Sequence, residues 1–304
     1  MKKIALTCGD PSGVGPEVIA AWARANPENL KGVTVIGPML WLEKHFGDLP
    51  VDMEIAGPLS FEATPGDPTA TGAKVAFEAL DIAAAGCKSG RFNAVVTGPI
   101  SKAQMREVGF HFAGQTEFFA DRWGGEPTMG FVGEKLRVVL ATWHDPLMRV
   151  ASLLQDGRLL ARAVRRAHWL AKALGATEPR IAVCGLNPHA GEEGLIGREE
   201  IDMIDPQLKR LREQMPGVSL TLPGDTVFWR ALKGDFDIVV ALYHDQGLAP
   251  LKTVDFENAV NITLGLPWIR TSPDHGTGFA IAGKGLANAH SIGEAVALAR
   301  KLEI

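Results

Sequence analysis

The 304 residues are 46% hydrophobic and 22% charged, enough apolar material for a buried core, which excludes a disordered or low-complexity chain. The formal net charge is −4 with acids and bases interspersed, so no basic stripe exists for a nucleic-acid backbone to follow. Cys8, Cys87 and Cys184 form no C-x-x-C pair. Their spacing excludes a disulfide framework and a thiolate zinc site and predicts a reducing, cytoplasmic setting. No apolar run reaches membrane-spanning length, and the one after Met1-Lys2-Lys3 stops at Gly9-Asp10-Pro11, too early for a signal-peptide core.

The length fits one large domain or two smaller ones. In chain order, a strand is predicted over 3–7, a helix over 16–24, a strand over 33–36, and a loop rich in glycine and proline over 57–68. A helix over 69–85 and a strand over 94–97 follow, then a second glycine-rich loop or hairpin over 124–133 and a strand over 137–140. The remaining elements are a helix over 156–174, strands over 181–184, 238–242 and 260–263, and a last helix over 291–302. That helix opens with Ser291 and, three residues on, Glu294, the pairing of a capping box. Most strand candidates are continuously apolar, as strands buried on both faces of a largely parallel sheet are. The alternation predicts an α/β architecture.

Three histidines stand just past a predicted strand: His144 after Ala141-Thr142-Trp143, His189 after Leu186-Asn187-Pro188, and His244 after Leu242-Tyr243. Functional groups of parallel α/β sheets collect beyond the carboxyl ends of strands. The separations are far longer than those of a zinc finger, so only the fold can unite the three imidazoles. The acidic neighbours Asp145, Glu192 and Asp245 suit carboxylates that orient metal-bound imidazoles. The competing reading of each histidine is a hydrogen-bonded loop residue.

The turn Gly9-Asp10-Pro11-Ser12-Gly13-Val14-Gly15-Pro16-Glu17 joins a strand to a helix, with Pro16 suited to a first helical turn. It is not the dinucleotide fingerprint G-x-G-x-x-G, because Val18 stands where the third glycine belongs. Its glycines either make a tight turn or let a ligand approach the backbone. Thr97-Gly98-Pro99-Ile100-Ser101-Lys102 makes a second such join, and Lys102 reads either as a proton-transfer group or as a solvated lysine. Lys252 and Arg270, with Asn261 between them, form a set able to grip an anion. The segment 274–285 is glycine-rich, which suits close approach of a ligand or a structural loop alike.

Taken together, the motifs Gly9 to Glu17, Ala141-Thr142-Trp143-His144, Asn187-Pro188-His189-Ala190-Gly191-Glu192, Tyr243-His244-Asp245-Gln246-Gly247 and Asn261-Ile262-Thr263-Leu264-Gly265-Leu266-Pro267 resemble the 4-hydroxythreonine-4-phosphate dehydrogenase family of vitamin B6 biosynthesis. The resemblance runs from Lys3 almost to the carboxyl terminus. It implies metal ligands at His144, His189 and His244, substrate contacts at Gln115, Thr116, Lys252, Asn261 and Arg270, and catalytic side chains at Lys102 and Asp245. It implies a homodimer whose active site draws on both subunits. That family in turn is similar to isocitrate and isopropylmalate dehydrogenases, in which a His-Gly-x-Ala-x-x-Ile-Ala-Gly-Lys segment cups the adenosine of NAD(P). The matching residues here are His275, Gly276, Thr277 and Lys284. The likeness implies an α/β fold of two domains flanking a cleft, one built from 1–111 and 249–304 and the other from 112–248. The family reads Gly-His-Thr-Glu at its substrate turn, whereas this chain has Gly114-Gln115-Thr116-Glu117, and glutamine cannot become cationic near neutral pH.

The implied reaction oxidises carbon 3 of 4-phosphooxy-L-threonine to 2-amino-3-oxo-4-phosphooxybutanoate, with hydride passing to NAD or NADP. Decarboxylation to 3-amino-2-oxopropyl phosphate follows. Lys102 or an ion-activated water takes the hydroxyl proton. Three imidazoles suit zinc, with cobalt, nickel or iron compatible, and carboxylate help from Asp245 admits magnesium or manganese. Gln115 leaves open other substrates, threonate or erythronate 4-phosphate or a cyclic dihydrodiol. A zinc hydrolase is the reading from another class, but it needs no adenosine segment.

Overall fold

The computed structural model describes residues 2–303. The chain begins β1 (Ile4–Thr7), α1 (Gly15–Ala25), β2 (Val33–Gly37), α2 (Met39–Phe46), β3 (Asp52–Ile55), α3 (Ala70–Lys88), β4 (Ala94–Thr97), α4 (Lys102–Glu107) and α5 (Gln115–Trp123). It continues β5 (Thr128–Val132), β6 (Arg137–Leu140), α6 (Val150–Leu154), α7 (Arg158–Ala173), β7 (Ile181–Cys184), α8 (Asp205–Arg212), β8 (Val218–Leu222), α9 (Gly224–Leu232) and β9 (Ile238–Ala241). The last elements are α10 (His244–Asp255), β10 (Val260–Leu264), β11 (Ile269–Pro273) and α11 (His290–Lys301). Among the described residues no helix is long and apolar enough to cross a membrane.

The chain forms two compact units, one of residues 1–127 and 260–304 and the other of 128–259. The first holds the strands in the order β3-β2-β1-β4-β11-β10, parallel except for β10, which pairs antiparallel with β11. The second holds β5-β6-β9-β7-β8, parallel except for the β5–β6 hairpin. The glycine-rich stretch 124–133 thus leads into a hairpin strand. Both units bury strands on both faces, and β1, β4, β7 and β9 have no exposed position, as continuous apolar runs require.

The units divide at 127/128 and 259/260, whereas the family resemblance suggested 111/112 and 248/249. Packing accounts for the difference. Phe118, Phe119 and Trp123 of α5 belong to the apolar cluster that α3 makes with β1 and β4, which keeps α5 in the first unit. Leu248 and Leu251 of α10 pack among Val138, Leu140, Val239 and Ala241, which keeps α10 in the second. Consequently Gln115 and Thr116 lie in the first unit and Lys252 in the second.

The helix expected over 69–85 starts at Ala70, with Thr69 as its cap accepting from Gly72 N–H. The capping box at Ser291 is not formed. Ser291 lies inside α11, and no side chain caps the helix at Ala289. Asn288 Oδ1 instead accepts from His290 N–H at 2.9 Å, starting the helix a residue early and turning Ser291 into the interior, 6% exposed.

Candidate active site

In the second unit the three histidines follow the carboxyl ends of adjacent strands. His144 comes after β6, His244 opens α10 after β9, and His189 follows β7. Side-chain bonds tie these strand ends together. Thr142 Oγ1 donates to Leu242 O at 2.8 Å. Gln246 spans the other pair, its Nε2 donating to Gly185 O and its Oε1 accepting from Leu242 N–H, both at 2.7 Å.

The rings of His144 and His244 lie 6.2 Å apart between centroids, close enough for each to turn a nitrogen toward one ion at a bond length of about 2.1 Å. Asp245 Oδ1 is 2.8 Å from His244 Nδ1. A carboxylate there holds the proton on Nδ1 and leaves the Nε2 lone pair for a ligand. Among the described residues no three His, Cys, Asp or Glu side chains form a ready ligand set.

His189 stands in a turn that sequence patterns do not reveal. His189, Ala190, Glu192 and Glu193 have φ of 52°, 53°, 44° and 54°, with Gly191 at 83° between them. L-residues pay roughly 1–2 kcal/mol each for the left-handed helical region. The four together therefore store roughly 4–8 kcal/mol by the same scale, the kind of local cost found at ligand sites.

Of the cationic set, the first unit holds Arg270 and Asn261. Arg270 on β11 is 4% exposed. Its Nε and Nη2 donate to Thr97 Oγ1 at 3.2 and 2.8 Å, and its Nη1 to Asn261 Oδ1 at 3.2 Å and Thr263 Oγ1 at 3.3 Å. These acceptors are all neutral. Burial pushes the guanidinium down to about 10, with the charge of Glu117 acting in the opposite direction. Thr116 Oγ1 completes the cluster at 3.3 Å from Thr263 Oγ1.

Gln115 opens α5, and its Nε2 donates to Gly98 O at 3.1 Å. The reversed amide would set oxygen against oxygen, so this bond fixes its orientation. Lys102 opens α4, capped by Ser101. A Cβ at Gly114 would stand 3.8 Å from Lys102 Nζ and 3.2 Å from Glu117 Oε2, which brings Lys102 beside the start of α5. Lys252 is on α10 of the other unit, its ammonium 5.9 Å above the Phe256 ring.

The segment 274–285 contains turns but no helix or strand and lies along the turn after β1. Val14 N–H donates to Thr277 O at 2.8 Å, and Gly283 N–H to Glu17 Oε2 at 2.6 Å. A Cβ at Gly13 would come 2.8 Å from Thr277 O, so only glycine admits this approach. Lys284 Nζ donates to Ala280 O, and His275 Nδ1 is 3.0 Å from Gly276 O. A pocket of about 520 Å³ lined by Gly13, Glu17, Trp41, Phe61, Pro65 and Gly283 adjoins it. The sequence motifs contain Glu17, Thr97, Thr263 and Gln246 without giving any of them a role, and Trp41 lies outside every motif. Their roles depend on which backbone groups the fold presents to them.

Polar side chains gathered beyond the carboxyl ends of parallel strands, with a buried cation in one unit and paired imidazoles in the other, define an α/β enzyme. The family model for the pyridoxal phosphate biosynthetic protein PdxA matches residues 20–299. The 4-hydroxythreonine-4-phosphate dehydrogenase of Zymomonas mobilis subsp. mobilis is 40% identical, over 98% of this chain and 95% of its own. A crystal structure of 4-hydroxythreonine-4-phosphate dehydrogenase from Klebsiella pneumoniae superposes with a TM-score of 0.83 at 32% identity, covering 99% of each chain. A terephthalate 1,2-cis-dihydrodiol dehydrogenase from Burkholderia xenovorans LB400 has a TM-score of 0.71 at 28% identity over 100% of this chain and 99% of its own. The chain belongs to the PdxA family of pyridoxal phosphate biosynthetic proteins.

Proposed function

We propose that this chain is a cytoplasmic, NAD(P)-dependent and divalent-metal-dependent dehydrogenase that oxidises 4-phosphooxy-L-threonine at carbon 3 and releases carbon dioxide from the resulting β-keto acid. The observation that carries the reading is Arg270, a buried guanidinium whose hydrogen-bond acceptors are neutral. An anionic group of the substrate supplies a charged acceptor, which the neutral ones do not, in addition to the nearby charge of Glu117. Asn261, Thr116 and Gln115 orient that substrate, and Lys252 adds a second cation. Lys102, beside the start of α5, takes the hydroxyl proton, and Asp245 holds His244 in the tautomer that leaves Nε2 free.

A divalent ion held by His144, His189 and His244, zinc first among candidates, supplies Lewis acidity that favours both the alkoxide and the loss of carbon dioxide. NAD or NADP supplies the hydride acceptor, with His275, Gly276, Thr277 and Lys284 along its adenosine and the neighbouring pocket of about 520 Å³ within the range of ligand sites. A homodimer, the assembly the family resemblance implies, shares this site between its subunits. The three free, buried cysteines suit a reducing cytoplasm.

Gln115 favours a second reading, in which the same chemistry serves threonate or erythronate 4-phosphate or a cyclic dihydrodiol. Its neutral amide replaces a side chain able to carry charge, and relatives of this fold include a dihydrodiol dehydrogenase. Following reduced nicotinamide by absorbance with each of these substrates, before and after chelation, separates the readings. Turnover of 4-phosphooxy-L-threonine that chelation abolishes and zinc restores is the expected result. Turnover of another substrate alone selects the second reading, and turnover of none with metal restored overturns both.

A further inference from the structure

Beneath the turn that carries His189 lies a carboxylate that none of the motifs includes. Glu200 is 2% exposed. Its Oε1 accepts from the N–H groups of Leu186 and Asn187, both at 2.8 Å, and its Oε2 accepts from Asn187 Nδ2 at 2.9 Å. Glu199 Oε2 accepts from the same amide nitrogen at 2.7 Å. The left-handed residues begin at His189, one residue beyond Asn187 and separated from it only by Pro188. Glycines keep the space clear: a Cβ at Gly191 would stand 2.8 Å from Glu200 Oε2, and one at Gly197 2.5 Å from Asn187 Nδ2.

A run of L-residues at positive φ persists only where its surroundings over-determine it. Here three N–H groups of the two residues at the entry converge on one buried side chain. We infer that Glu200 is a positioning residue for His189, fixing where the turn begins and hence where the imidazole points. The inference rests on the proposed metal role of His189. It requires two acceptor oxygens. Glutamine at this position sets an NH2 group against either the two backbone N–H groups or Asn187 Nδ2, and loses at least one bond while keeping the volume.

Titration of the full-length protein with cobalt(II), followed by its visible absorption, tests this alongside thermal unfolding of the metal-free form. Glu200→Gln is expected to fold cooperatively yet raise the Kd for cobalt about 10–100-fold, the range seen when the partners of metal ligands are lost. A folded Glu200→Gln with the Kd of the unaltered protein overturns the inference. His189→Ala separates the two levels. If it binds cobalt unchanged, the metal role of His189 fails, and the positioning role falls with it. If Glu200→Gln does not fold, Asn187→Ala, which removes only the amide bonds to Glu199 and Glu200, decides. A several-fold rise in Kd with an altered cobalt spectrum supports the inference, and an unchanged Kd overturns it.

Discussion

Arg270 carries opposing demands on stability and binding. Its burial costs free energy, which its neutral acceptors only partly offset, yet the same cation is the strongest grip on an anion that the first unit offers. Arg270→Met is therefore expected to keep or slightly raise the melting temperature while raising KM on the order of 100-fold, roughly the 2–3 kcal/mol of a charge-assisted pair. Calorimetry and steady-state kinetics on one sample check both halves. A drop in stability with KM unchanged would assign Arg270 to the core instead. The cysteines behave differently. Burial pushes the Cys8 and Cys87 thiols up to about 12 and that of Cys184 higher still, so at pH 8 all three are protonated and enclosed. An aromatic disulfide reagent should find no reactive thiol in the native protein and three after denaturation.

Among the elements, the predicted strands match the structure because burial on both faces imposes continuous apolar runs. β3 and β11 escape that logic for opposite reasons. The Asp52–Ile55 strand is largely exposed at a sheet edge and alternates charged with apolar residues. Ile269–Pro273 is wholly buried, yet its Arg, Thr and Ser look like loop residues because the cationic cluster occupies its positions. The histidines were legible from their places after strands. The left-handed turn was not, since Ala190, Glu192 and Glu193 are types that seldom adopt positive φ. At the start of β7, Arg180 grips Asp237 with Nε at 3.2 Å and Nη2 at 2.8 Å, while the Arg180 N–H donates to the same carboxylate at 2.7 Å. These bonds hold the Asp237 carboxyl below the usual range. Their stabilisation is present above pH about 4, the ordinary carboxylate value, and fades as pH falls through the lowered one. Asp237→Asn should cost about 1–2 kcal/mol at pH 7 and progressively less in acid, as denaturant melts at pH 7 and pH 3 can show.

For the whole molecule, the second unit exposes Met148 at 93%, Leu195 at 85%, Phe256 at 66% and Trp229 at 63%, apolar side chains available to a subunit interface. If a second copy covers them and completes the metal set, Met148→Lys combined with Leu195→Asp should yield a monomer by sedimentation that retains its secondary structure but binds cobalt at least tenfold more weakly. A variant that remains dimeric, or a monomer with unchanged metal affinity, would count against that arrangement. A site shared between subunits is implied by the family resemblance alone, because no spacing in one sequence records which residues a partner supplies. The order of the strands also bears on how the protein is made. Residues 128–259 are contiguous, whereas the sheet of the other unit places β11 and β10, the last strands of the chain, beside β4. A ribosome therefore delivers every strand of the histidine-bearing unit before the first unit receives Asn261 and Arg270. Vectorial synthesis then leaves the first sheet with an open edge at β4 until the final 45 or so residues emerge, and that unfinished edge is where chaperone protection and premature-termination damage should concentrate.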